Sequence, residues 1–189
     1  MKIYEELQQG SLQWLEFRQQ HVGASDASTI MGLNPWHTKM QLWQEKALGW
    51  TKEVNNAMRR GSQMEEQARL AYQLQSGCLV SPMVAEDTLY PFISASFDGI
   101  SEDLTKLVEI KCGKASHKLA EHGEIPKYYY AQVQQQLYVA GIECADYWSF
   151  DGTNGILLTV DRDNQFITTL LEKIIEFWDC VTKNTPPKD

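Results

Sequence analysis

The segment Leu107-Val108-Glu109-Ile110-Lys111 constrains the fold of this chain more than any other. Leu107, Val108 and Ile110 are the branched or bulky apolar residues that a buried strand selects. Side chains alternate along a strand, so Glu109 and Lys111 project from one face. A preceding apolar run ends in Ser96-Phe97-Asp98-Gly99, whose Asp-Gly step reads as a turn. A hairpin between the two segments brings Asp98 beside Glu109. Two carboxylates with the Lys111 ammonium next to them make a hard, oxygen-donor site for a divalent cation such as Mg²⁺. The competing account of the same charges is a solvated strand face.

The 189 residues suit one domain with a sizeable core. An apolar fraction of 43% and a charged fraction of 22% are those of a soluble globular protein. No apolar run is long enough to span a bilayer, and the first residues lack the apolar core of a signal peptide. Cys78, Cys112, Cys144 and Cys180 are far apart, and the four histidines show no ligand-like spacing. These features argue against structural zinc and for a reduced, cytoplasmic setting. The net charge of −8 argues against a protein that coats nucleic acid with a basic exterior. It leaves room for a nucleic-acid enzyme whose cations gather in a groove. Arg59-Arg60 and the trio Lys111, Lys114 and Lys118 are candidate clusters, with solvated helix ends as the other reading.

Hydrophobic periodicity predicts a helix over residues 11–20, then a break at Gly23-Ala24-Ser25-Asp26. Ser25 is a plausible N-cap for a short helix through about Met31, closed by Gly32. The next helix runs from Thr38 to Leu48, and a long one from about Asn55 to Ser76. The apolar stripe of the long helix includes Ala57, Met64, Ala68, Ala71 and Tyr72. Glu65 lies beside that stripe, and Gly61 on the same face suggests a close backbone approach; a surface Glu is the bland alternative. Strands are expected near 78–84, 88–95 and 106–111, with a bulge or edge at Pro91. A helix from about Pro126 to Ala140 carries Tyr128-Tyr129-Tyr130 and Gln132, Gln134, Gln135 and Gln136. Strands near 144–150 and 155–161 and an amphipathic helix from Asn164 to Thr182 complete the chain, before a frayed Thr185-Pro186-Pro187 tail. This order predicts an α+β fold with a mixed central β-sheet flanked by α-helices.

From residues 11 to 150 the chain resembles the YqaJ-like phage recombination exonucleases, the group that includes phage lambda exonuclease, within the PD-(D/E)xK nuclease superfamily. The pieces that carry the resemblance come in order. They are Trp14-Leu15-Glu16-Phe17-Arg18, Gly23-Ala24-Ser25-Asp26-Ala27, Gly32-Leu33-Asn34-Pro35-Trp36 and Arg60-Gly61 with Glu65. They continue with Ser96-Phe97-Asp98-Gly99, Glu109-Ile110-Lys111-Cys112 and Tyr130-Ala131-Gln132-Val133-Gln134. Phe97 stands where the superfamily pattern has proline.

The resemblance implies a restriction-endonuclease-like core and a Mg²⁺-dependent nuclease, with Mn²⁺ able to substitute. Asp98 and Glu109 would bind the metal with the Ile110 carbonyl, Glu65 would reach the same site, and Lys111 would position the attacking water. Arg18, Ser25, Ser96 and Gln132 match positions that hold a DNA 5′-phosphate or the bases near it. It further implies 5′→3′ digestion of linear double-stranded DNA, a homotrimeric ring and a single-strand annealing recombinase as partner. The setting is the cytoplasm of a bacterial host, the gene being phage- or prophage-encoded. An endonuclease on the same fold and a non-catalytic DNA-binding protein are the competing functions. Intact Asp98, Glu109 and Lys111 argue against the second.

Overall fold

The computed structural model describes residues 1–50 and 56–188, and within 56–63 the backbone alone. The side chains of Ala57, Arg59 and Arg60, the surroundings of Gly61, and residue 55 at the expected helix start therefore lie outside what is described. Among the helices are α1 (Leu12–Gln19), α2 (Ala27–Ile30), α3 (Lys39–Leu48), α4 (Asn56–Ser76), α5 (Lys114–Ala120), α6 (Lys127–Ala140) and α7 (Asn164–Thr182). The strands are β1 (Lys2–Ile3), β2 (Val22–Gly23), β3 (Ser81–Glu86), β4 (Ile93–Ile100), β5 (Leu107–Cys112), β6 (Cys144–Phe150) and β7 (Gly155–Asp161). They form one sheet in the order β1-β3-β4-β5-β6-β7, with β2 added beside β4. The β5/β6 and β2/β4 pairs are parallel and the others antiparallel, so the expected mixed sheet of an α+β fold is present.

β5 is buried on both faces. Leu107 joins the larger core, which includes Leu137 of α6 and Leu170 and Phe177 of α7. Val108 and Ile110 join Ala68 and Tyr72 of α4 with Trp148 and Phe150 of β6. The α3 start carries a reciprocal cap between Thr38 and Gln41, and Gly49 ends the helix in the left-handed region at φ 70°.

Several expectations are corrected. Pro91 precedes β4 rather than bulging it, and the strand begins at Ile93 and runs to Ile100. Asp98 therefore lies inside a strand, not at a turn, and the chain reverses at 101–106 instead. The bulge is at another proline. Register pairs Met83 with Phe97 but Ser81 with Ile100, so Asp98 and Gly99 together face Pro82. Proline has no amide to offer a ladder, and a bulge is where a strand tolerates it. The first of the three strands starts at Ser81, three residues later than expected. Ser25 is not an N-cap: it sits within a 3₁₀ turn, Ala24–Asp26, entered from Gly23. Helix α5, absent from the sequence reading, follows β5 directly.

Candidate active site

The edge of β4 away from β3 is shared between β2 and β5, and the site opens where it changes partner. Its first residues pair with β2, Val22 opposite Ile93 and Gly23 opposite Ser94. Its last pair with β5, Gly99 opposite Val108 and Ile100 opposite Leu107. Between these stretches the strands splay, and side chains replace the ladder. The Asp98 carboxylate accepts from the Ile110 amide at 2.8 Å. A bulge re-aims side chains, and this one turns Asp98 toward β5.

α6 fills the rest of the gap with its glutamines. Gln132 donates to Glu109 Oε1 and Gln136 to Glu109 Oε2, each at 2.6 Å. Gln136 also donates to the Ser96 carbonyl at 3.2 Å. Gln135 donates to the carbonyls of Val22 and Ser94, both at 2.9 Å, and so ties β2 to β4. Residues four apart on a helix share a face, which is why Gln132 and Gln136 reach one carboxylate. Glu109 is fully buried and also pairs with Lys111. The Lys111 ammonium lies 4.7 Å from the centre of the Tyr129 ring.

Glu65 reaches the site from α4 through Arg69, which sequence reasoning missed. Arg69 donates to Glu65 Oε1 at 2.9 Å and to the Asp98 carbonyl at 2.7 Å. Its spacing from Glu65, one helical turn, was the available signal. Gln9 adds a tie from the N-terminal segment, donating to the Phe97 carbonyl beside the bulge at 2.8 Å.

The electrostatics are those of a crowded anionic pocket. Burial, and then the Glu109 charge, push the Asp98 carboxyl well above the usual carboxylate range. Burial also raises Glu65, against the pull of Arg69 and Lys111. Burial alone would lower Lys111, but the charges of Glu109 and Asp98 raise it, so it stays an ammonium. Cys112, next along β5, is pushed up to about 11 by burial and by the Glu65 and Asp98 charges. Among the described residues no three His, Cys, Asp or Glu side chains form a group that would hold a metal unaided. The donor set nonetheless fits Mg²⁺, which takes one or two carboxylates and keeps several waters. Asp98 and Glu109, with Glu65 near them, are the carboxyl groups that would hold such a cation.

A second group of expected residues is joined to the first. Ser96 accepts from the Trp14 indole N–H at 2.9 Å. The Arg18 guanidinium lies 4.7 Å from the Trp14 ring centre and donates to Ser25 Oγ at 2.8 Å. Behind them, buried Asp26 is matched by Lys46 at 2.8 Å, whereas its distance to Arg18 is 3.9 Å. Burial would raise the Asp26 carboxyl, but Lys46 and Arg18 together hold it below the usual range. Lys46 is the nearer partner of Asp26, and the half-buried Arg18 makes its shorter contact with exposed Ser25. α2 is only four residues long, so the polar groups presented here are the Arg18 guanidinium and the Ser25 hydroxyl rather than a helix end.

A family model, the YqaJ-like viral recombinase domain, matches residues 13–143. The chain belongs to this family. It is 31% identical over 175 residues to the uncharacterized protein YqaJ of Bacillus subtilis (strain 168), a match covering 88% of this chain and 55% of that protein. The chain thus spans little more than half the length of this curated relative. The fold is similar to that of an alkaline exonuclease, LHK-Exo, from Laribacter hongkongensis, with a TM-score of 0.81 at 24% identity over 92% of this chain and 94% of that one. LHK-Exo in complex with dAMP matches with a TM-score of 0.79 at 23% identity, over the same shares of the two chains. A phage-related exonuclease from Haemophilus somnus 129PT gives 0.67 at 16% identity, over 90% and 99% of the two chains. The family segment contains every expected site residue.

Proposed function

We propose that this chain is a Mg²⁺-dependent exonuclease, with Mn²⁺ able to substitute, that digests linear double-stranded DNA from 5′ to 3′ and leaves 3′ overhangs for single-strand annealing. The observation that carries the reading is the meeting of Asp98, Glu109 and Lys111 where β4 and β5 splay, with Glu109 held by two glutamines. Asp98 and Glu109 would hold the metal, with Glu65 and the Ile110 carbonyl near it. Bound there, a divalent cation supplies charge neutralisation at the scissile phosphate and a hydroxide at neutral pH. Gln132 and Gln136 fix the direction of the Glu109 carboxylate. Lys111, kept protonated by its neighbours, offsets charge that builds on the phosphate rather than acting as a base. Arg18 and Ser25 grip the terminal 5′-phosphate, and Ser96 lies between that grip and Asp98. Each cut leaves a new 5′-phosphate for the same grip. The name alkaline exonuclease, borne by LHK-Exo, supports the same activity here. The partner in this reading is a single-strand annealing recombinase in the bacterial cytoplasm, and the protein is phage- or prophage-encoded. Among the described residues no helix is long and apolar enough to cross a membrane.

The test is release of acid-soluble nucleotides from linear and covalently closed circular duplexes, with Mg²⁺ and with chelator. Linear DNA should be degraded only with the metal, and closed circles should survive. Asp98→Ala and Glu109→Ala should each retain less than about a tenth of the rate, a barrier increase above about 1.4 kcal/mol. Loss of the closed circles would favour an endonuclease, and activity in chelator would remove the metal assignment.

A further inference from the structure

The motif Gly32-Leu33-Asn34-Pro35-Trp36 has no part in the chemistry above, yet it is built with care. The Leu33 and Asn34 amides both donate to the Ser28 carbonyl, at 2.8 and 3.1 Å. The Asn34 side-chain amide donates to the hydroxyls of Ser28 and Thr29, at 3.3 and 3.2 Å. The Trp36 amide in turn donates to Asn34 Oδ1 at 3.0 Å. Ser28 and Thr29 are buried, so the turn is anchored in α2. What this anchoring presents is an indole that is 70% exposed.

A single exposed tryptophan is ordinary. This one leans on the site. Its ring meets Tyr128 edge-on, with centroids 5.1 Å apart at 74°. Tyr128 meets Tyr129 at 4.5 Å, and Tyr129 carries the Lys111 ammonium over its face. Tyr128, Gln132 and Gln136 are spaced by four residues along α6, so Tyr128 continues the stripe that holds Glu109. An aromatic row therefore runs from solvent to the proposed scissile phosphate. Aromatic faces beside a phosphate site suit nucleobases, because every base has a π-face and stacking tolerates any sequence.

We propose that Trp36, backed by Tyr128, is a stacking ledge for a nucleobase of the DNA strand that enters the site. The assignment rests on the nuclease reading, and it adds a contact to a base where the groups already named address phosphate and metal. Trp36 supplies the free face, the pinned turn supplies pre-organisation, and Tyr128 sets the tilt of the indole.

The test uses the full chain with chelator present, so that binding is read without cleavage. Linear duplexes carry 2-aminopurine, or an abasic residue, at each of the first three positions from a phosphorylated 5′ end. At one of these positions wild-type protein should change the 2-aminopurine emission, and the abasic residue should weaken binding about tenfold. Trp36→Ala should lose the emission change and bind the intact duplex about tenfold more weakly. The abasic residue should then cost Trp36→Ala nothing further, while Trp36→Phe restores most of both effects. Abasic and intact ends bound equally by the wild type, or Trp36→Ala binding within twofold of it, would overturn the ledge. A change in oligomeric mass without a change in DNA binding would also overturn it, and give the indole to a protein contact. Hydrolysis of linear DNA with Mg²⁺, measured separately, tells failure of the ledge from failure of the nuclease reading.

Discussion

Glu109 and Asp98 are held in opposite ways, and their variants should differ accordingly. Glu109 is buried with its charge fully partnered by Lys111, Gln132 and Gln136. Asp98 receives one amide hydrogen bond and sits beside Glu109, so ionising it is unfavourable in the metal-free fold. A raised carboxyl means that the folded chain binds a proton more tightly than the unfolded chain. Stability then falls as pH rises from about 3.9, the ordinary Asp value, to the raised value. Asp98→Asn, in chelator, should remove that fall. Thermal melts between about pH 4 and 8 should show the variant no less stable than wild type at the alkaline end, although its nuclease activity is lost. A variant that melts well below wild type at high pH would show that the Asp98 charge stabilises the fold. Mg²⁺ should raise the melting temperature of the wild type alone, and more so at alkaline pH, where protons compete less for the carboxylates.

The elements show which parts of this arrangement a sequence can announce. Helices α3, α6 and α7 and strands β6 and β7 are legible, because each carries an uninterrupted period and clear end signals, such as Gly49 and Gly141 in the left-handed region. β4 is misplaced because its apolar set changes phase: Ile93, Ala95 and Phe97 alternate, and then Ile100 breaks the count. The bulge at Asp98–Gly99 causes that break, and a two-residue period gives no warning of it. The acidic pair and Lys111 were readable from residue type and spacing. Gln135 and Gln136 were not, because each acts on main-chain or carboxylate groups brought close only by the tertiary fold, and Arg69 was signalled only by its spacing from Glu65. α5 is seven residues with no apolar stripe to mark it. Gly99 is the position where the bulge is most exposed to test. A Cβ there would lie 2.6 Å from Val80 Cγ2 and 2.7 Å from Val108 Cγ1. Gly99→Ala should therefore cost about 1–3 kcal/mol in denaturant unfolding. It should also depress hydrolysis more than DNA binding, because Asp98 moves with its neighbour. Unchanged activity in a destabilised variant would uncouple the bulge from the aim of Asp98.

At the scale of the whole molecule, the question is how a chain of net charge −8 holds a polyanion. Part of the proposed answer is local: Lys46 is the nearer partner of Asp26, which leaves the half-buried Arg18 to reach Ser25. A terminal phosphate carries more charge than an internal one, so 5′-phosphorylated duplexes should be digested faster than 5′-hydroxyl ones. Arg18→Ala should shrink that difference about tenfold, the worth of a charge-assisted hydrogen bond, while sparing metal-dependent hydrolysis. Equal wild-type rates on both ends would remove the grip. The rest of the answer concerns assembly. The proposed homotrimeric ring would let acidic surfaces lie outside and cations line a channel, and enclosure of the duplex would support long runs of digestion. One outer strip suits such an assembly: Leu70 and Leu74, one turn apart on α4, and Leu79 beyond it are 55%, 88% and 81% exposed. Sedimentation equilibrium at micromolar concentration should give three times the 21.6 kDa of the chain. Leu74→Glu, which places a charge at the centre of that strip, should shift the mass toward one chain and shorten processive runs without abolishing single cuts. A wild-type monomer would leave the site chemistry standing and remove the ring. A trimer indifferent to Leu74→Glu would place the contact on another face.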